Sequence, residues 1–376
     1  MSKKRIICLC CTYFQMITAI QMRRTLFSED EFSVVMTDDS NGTREVSERL
    51  RDTGIFDEVF FVPRTRVGMP DFKSAGQKAE RFLNYFVKGS YVSFLKKPYD
   101  LFLSYNFTWY AFMLFNGLQQ DNHDIKVAKY EEGILSYFVD DHRFEYDYFK
   151  KIKKIKRFLH QPVMFDRLHT FYCFYPEFYE GQLSTARIPP FEHGDEWLRD
   201  TLCTLFDVDL QKLNYDRKFL YFASMLDSEV VIGESGEFDV LKEIVDVVGA
   251  DNIMVKLHPR ENNPQRYSDL GVAIDTNSDI PFEVIQLVRD FSDTTFITCL
   301  SSSTINLATI LPKRSKTYLT YGLLPEKVRE MDRIVNFVDI YSRTTNRIKE
   351  VTGTEDFIVF ESREQMKEEL GALTRR

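Results

Sequence analysis

Three short segments carry residues able to do chemistry, and they lie far apart along the chain. Tyr130-Glu131-Glu132-Gly133 sets two carboxylates ahead of a glycine that permits a sharp turn. An acid held there can act as general base towards a sugar hydroxyl; an isolated acid pair of this kind can equally be a solvated turn. Lys256-Leu257-His258-Pro259-Arg260 fixes a histidine beside a proline and between two cations. Such a histidine can donate to a phosphate oxygen or protonate a leaving group, or simply be structural. Ser301-Ser302-Ser303-Thr304 is a run of hydroxyls. At a helix N-terminus, hydroxyls and backbone N–H groups form an anion site, and the helix dipole adds to it. Plain capping by one serine is the alternative.

Each segment needs a strand to hold it, and the sequence supplies one. Residues 5–11 are a continuous apolar run, suited to a strand buried on both faces of a parallel sheet. Thr12 then caps a helical pattern to about residue 26. Further strands are expected at 32–36, 58–62, 100–105 and 125–130, with a helix over 107–118. A second alternation starts at 218. It predicts strands at 219–223, 253–257, 295–300 and 316–320, and helices at 238–248 (closed by Gly249), 281–289, 305–311 and 364–373. Residues 140–217 break the rhythm: they are aromatic and basic, with Pro162, Pro176, Pro189 and Pro190. Helices followed by an extended connector are expected there. The α/β class follows from the alternation, and a length of 376 residues suits two domains. The boundaries expected are 1–190, a connector at 191–217, and 218–376.

The bulk composition excludes several classes. A net charge of −8 argues against nucleic-acid binding by the surface as a whole. The six cysteines match no zinc or disulfide-scaffold spacing and read as buried thiols of a cytoplasmic protein. The basic N-terminus precedes an apolar run too short for a signal peptide, and no stretch reaches the roughly 18 apolar residues of a membrane span. The pairs Asp38-Asp39, Asp140-Asp141 and Asp207-Val208-Asp209 read as caps or turns, so no metal cofactor is expected.

In order and spacing the three segments resemble motifs of the bacterial sialyltransferases: acid-acid-glycine, then His-Pro, then a Ser-Ser/Thr pair. The opening Cys11-Thr12-Tyr13-Phe14-Gln15 is similar to the Cys-x-Thr-x-x-Gln start of glycosyltransferase family 52, which contains lipooligosaccharide sialyltransferases. Glu131-Glu132-Gly133-Ile134-Leu135-Ser136-Tyr137 is similar to that family's Glu-Glu-Gly-Ile-Gly-Ser-Tyr, with Leu135 in place of the second glycine. The resemblance implies a GT-B fold, with two Rossmann-like domains facing a cleft, the first binding the acceptor and the second the nucleotide-sugar. It implies transfer of sialic acid from CMP-sialic acid to a galactose-terminated glycan, with inversion and without a metal. Thr12, Gln15, Gly133, Lys256, Pro259 and Ser301 to Thr304 would bind the donor, and His258 would meet the departing phosphate. The base is open between Glu131 and Glu132 and, in the loop after the first strand of the second domain, Asp227 and Glu229. Alternatives are a donor with a glucosyl or glycerophosphoryl group, or a non-catalytic binder of sugar nucleotides.

Residues 149–159 alternate lysine and apolar side chains, with Phe149, Ile152, Ile155 and Leu159 on one helical face. The stretch can lie on an anionic membrane at the inner face of the cell, or pack its stripe on the domain. A second copy of the chain is the other partner considered.

Overall fold

The computed structural model describes residues 3–38, 42–63, 75–89, 92–105, 108–138, 147–192, 194–224, 226, 236–258, 261, 263–277, 280–301, 303–310 and 315–375. The chain divides into two compact units, Met1–Pro190 and Phe191–Arg376.

Among the described residues the first unit holds seven strands: β1 (Arg5–Cys10), β2 (Glu31–Thr37), β3 (Glu58–Val62), β4 (Leu101–Ser104), β5 (Lys126–Tyr130), β6 (Leu168–Cys173) and β7 (Ser184–Arg187). They pair in the order β3-β2-β1-β4-β5-β6-β7, parallel throughout. Parallel neighbours need crossovers, and helices Tyr13–Thr25, Thr43–Asp52 and Trp109–Asp121 make three of them. Covered on both faces, β1 reads as an unbroken apolar run, and Ile6, Ile7 and Leu9 are almost fully buried. Each such burial stabilises the fold by about 2 kcal/mol. Cys8 and Cys10, on the same strand, lie with their sulfurs 3.8 Å apart.

Two strands fall where helices and a connector were expected. β6 is half-exposed over its first three residues, and β7, Ser184–Arg187, is mostly exposed at the sheet edge. Neither carries the apolar alternation that announces a strand. The basic stretch does form a helix, Asp147–Phe158, but its stripe divides: Ile152 is buried while Ile155 and Leu159 are exposed. Lys156, one of the lysines of this stretch, is buried and donates to Asn116 Oδ1 at 2.9 Å and the Pro162 carbonyl at 3.4 Å. Burial pushes its ammonium down to about 8.

Among the described residues the second unit holds six strands: β8 (Phe219–Phe222), β9 (Ile253–Lys256), β10 (Ala273–Ile274), β11 (Thr295–Thr298), β12 (Thr317–Leu319) and β13 (Phe357–Val359). Their order is β10-β9-β8-β11-β12-β13, again all parallel. Residues 191–217 belong to this unit and carry helix Glu196–Phe206, which buries Leu198, Leu202 and Leu205. Helix Glu237–Val248 starts at Gly236, whose φ of 74° and closeness to the Pro325 ring leave no room for a side chain. No described helix is long and apolar enough to cross a membrane.

Candidate active site

The acid segment follows β5, one strand from the switch point of the first sheet. β1 has β2 on one side and β4 on the other, and sheets of this topology take ligands outside the carboxyl ends of the strands at that point. Thr12 follows β1, Tyr105 follows β4 and Glu131 follows β5. The Thr12 hydroxyl caps its helix, accepting from the Gln15 N–H at 3.3 Å. The Gln15 side-chain oxygen, buried, accepts from the Cys11 N–H at 2.6 Å and the Tyr130 hydroxyl at 3.4 Å. Gln15 also hydrogen-bonds the Glu132 carboxylate, as do Tyr105 and Thr12.

Glu131 points the other way and is fully buried. Its Oε2 accepts from the Tyr137 hydroxyl and from the Phe174 N–H, the latter at 2.8 Å. The Tyr137 hydroxyl accepts in turn from the Tyr175 N–H at 3.1 Å. Oε1 of Glu131 is buried with no hydrogen-bond partner. Gly133, at φ 98°, turns the chain into the short helix Leu135–Phe138, and this brings Tyr137 back to Glu131. Ser136 fastens the turn: its hydroxyl accepts from the Glu132 N–H at 2.9 Å, and its carbonyl from the buried Lys129 ammonium at 2.8 Å. Burial pushes both carboxyls, Glu131 and Glu132, up to about 7, against the pull of their hydrogen-bond donors. Acids held near neutrality can exchange a proton at working pH.

In the second unit the other two segments reach one rim of the sheet. β9 and β11 flank β8, and His258 and Ser301 follow them. His258 is half-buried, and its carbonyl accepts from the Glu261 N–H at 2.9 Å. The Ser301 N–H donates to Thr298 Oγ1 at 3.0 Å, and its carbonyl accepts from the Thr304 hydroxyl at 3.2 Å. Ser303 opens helix Ser303–Ile310 and is half-buried, while Thr304 is buried. Lys256 pairs with Asp275 Oδ2 at 2.6 Å, so its charge is balanced within the unit. Burial works against the Asp275 charge, but Lys256 and the Asn277 N–H hold this carboxyl below its ordinary value. Asp227, Glu229, Pro259 and Ser302 lie outside the described residues, as do Arg260, Asp39, Asp140 and Asp141. Asp207 ends helix Glu196–Phe206, and Asp209 accepts from the Gln211 N–H and pairs with Lys212.

A family model described as alpha-2,8-polysialyltransferase matches residues 7–321. The chain belongs to that family. No curated protein matches it. Among solved structures, the GT-B domain of a sialyltransferase from Photobacterium damselae is similar at 12% identity and a TM-score of 0.50, over 94% of this chain and 99% of that one. An alpha/beta-galactoside alpha-2,3-sialyltransferase from Photobacterium phosphoreum gives 9% identity and 0.48, over 94% and 97%. MurG of Acinetobacter baumannii gives 10% and 0.41, over 99% and 90%. The fold is GT-B, and this polysialyltransferase-family chain is a glycosyltransferase of the sialyltransferase group, with a sugar-nucleotide donor and a glycan acceptor.

The roles of three residues of this sialyltransferase fold were not legible in the sequence. Tyr105 looked like one among 19 tyrosines and Tyr137 closed the family-like segment without a role, yet each binds one acid of the pair. Glu283, in the first turn of helix Phe282–Val288, hydrogen-bonds Asn306 and feels the Lys256 charge; burial outweighs both and pushes its carboxyl up. Only the topology brings these residues together, since no local spacing links 256, 283 and 306.

Proposed function

We propose that this chain transfers sialic acid from CMP-sialic acid to a glycan hydroxyl, inverting the anomeric carbon. The observation that carries the reading is Glu131: one oxygen tied to Tyr137 and the Phe174 N–H, the other unpartnered. A buried acceptor without a donor is costly, and a substrate hydroxyl would complete it. Glu131 is the general base: it takes the proton as the acceptor oxygen attacks the anomeric carbon and the bond from that carbon to the CMP phosphate breaks. Acceptor entry must part the side chains that enclose it. Glu132, with three donors on it, fixes Thr12, Gln15 and Tyr105 around the acceptor side.

The second unit takes the leaving group. His258 donates to the departing phosphate, and the hydroxyls and amides of Ser301 to Thr304 hold it at the start of a helix. Pro259 and Ser302 belong to the same two motifs. Glu283, in the first turn of helix Phe282–Val288, is the acid we assign to the ribose hydroxyls. A phosphate monoester leaving group needs less countercharge than a diphosphate, so this chemistry uses no metal. The family points to a sialic-acid-terminated acceptor. The similarity of residues 11–15 and 131–137 to glycosyltransferase family 52 supports the second reading, a galactose-terminated lipooligosaccharide or capsule glycan.

The test is turnover of CMP-sialic acid with each acceptor, alongside thermal shift with CMP, UDP and GDP. CMP should stabilise most. Greater stabilisation by UDP, or no sialylated product on either acceptor, sinks the reading.

A further inference from the structure

The helix Asp147–Phe158 meets the end of helix Ala75–Asn84: Gln161 Nε2 donates to the Phe86 carbonyl at 3.4 Å, and Lys156 and the Asn84 carbonyl share Asn116 as partner. At this junction six large apolar side chains stay exposed: Phe82, Leu83, Val87, Ile155, Phe158 and Leu159, with Phe158 at 82%. Lys151 and Lys154 are exposed on the same helical face as Ile155 and Phe158, one turn apart, and make no ion pair among the described residues. Nearby Arg157 is neutralised by Asp166 at 2.8 Å. The chain as a whole is acidic, at −8, so two uncompensated lysines beside an apolar cluster are a local departure.

We propose that this two-helix junction is an insertion surface for a bilayer carrying anionic lipid. Phe158, Leu159 and Leu83 enter the acyl boundary while Lys151 and Lys154 meet the headgroups. Against a second copy related by a two-fold axis the patch would set its own lysines against lysines, so charge complementarity favours anionic lipid over such a dimer. Burial of Lys156 beneath the helix fixes which face is presented. The inference stands apart from the sialyl reading, because vesicle binding is measured without donor or acceptor.

The experiment is co-sedimentation of the full chain with phosphatidylcholine vesicles, with and without phosphatidylglycerol, at low and high salt. The wild type should bind the phosphatidylglycerol vesicles and release in salt. The double variant Lys151→Glu/Lys154→Glu should lose about tenfold or more in partitioning and lose the lipid preference. Leu83→Ser/Phe158→Ser should lose a similar factor at unchanged salt dependence; both residues are exposed, and melting temperature checks the fold. Absence of binding to phosphatidylglycerol vesicles at low salt overturns the proposal. So does wild-type binding by both double variants. A dimer in sedimentation velocity that dissociates in Leu83→Ser/Phe158→Ser, without vesicle binding, assigns the surface to a second copy instead.

Discussion

The Tyr137 hydroxyl donates to Oε2 of Glu131, six residues earlier, and the contact fixes one carboxylate oxygen while the other stays without a partner. The left-handed backbone at Gly133 makes this return possible. A general base gains from such fixing: orientation is set before substrate arrives, and the reactive lone pair is kept open.

Glu131→Gln should lower kcat by about a hundredfold or more, with CMP affinity near wild type. Glu132→Gln keeps the free oxygen of Glu131 and should retain more activity, losing mainly acceptor affinity. Steady-state kinetics with isothermal titration of CMP separates the two. If Glu131→Gln turns over within a few-fold of wild type while Glu132→Gln is inactive, the roles are reversed; if both stay active, Asp227→Asn and Glu229→Gln become the variants to assay.

Turnover should depend on pH through the acid pair. With both carboxyls pushed up to about 7, kcat should fall as pH drops below about 7 and level off above it. A profile flat down to pH 5 would contradict this.

The same burial has a stability consequence. An unfolded glutamate loses its proton near 4.3, whereas the folded Glu131 keeps it to about 7. The unfolded state therefore ionises first, and stability falls as pH rises between these values, by about 4 kcal/mol from this group. Glu131→Gln should unfold at higher urea than wild type at pH 8, and the advantage should vanish below about pH 4.3.

On the donor side, His258→Ala should cost about a hundredfold in kcat, the scale of a positioned proton donor. Ser303→Ala should chiefly weaken CMP, by about 1 kcal/mol for one hydrogen bond. Calorimetric titration of CMP and single-turnover rates distinguish binding from chemistry.

Under the proposed function the phosphate is handled by a histidine, hydroxyls and a helix N-terminus, so activity should survive exhaustive EDTA treatment. Loss on chelation with recovery in Mg²⁺ or Mn²⁺ would show an aspartate cluster at work that the sequence reading set aside.

The parts of the fold with strong periodicity were legible from residues alone. β1 and β8 are nearly continuous apolar runs because both faces are covered, and Thr12 and Gly249 mark helix ends by backbone chemistry. β7 was not legible: Ser-Thr-Ala-Arg at an exposed sheet edge has no buried side to pattern. The long helix Asp332–Thr352 was also missed; it lacks a side-chain N-cap hydrogen bond. Glu131 and His258 lie just past strands and Ser303 opens a helix, the positions their sequence context led one to expect. The ion pair of Lys256 was not legible, because its partner, Asp275, lies 19 residues away.

The cysteines offer each unit its own clock. Cys8, Cys10 and Cys173 are sealed in the first unit and Cys299 in the second, and burial lifts the Cys8 thiol well above its ordinary value. An alkylating reagent reaches a sealed sulfur only when the surrounding structure opens. Mass-resolved labelling over time would therefore time the opening of each half separately, within one molecule and without introduced cysteines. Donor that closes only the second half should slow Cys299 and leave Cys173 unchanged.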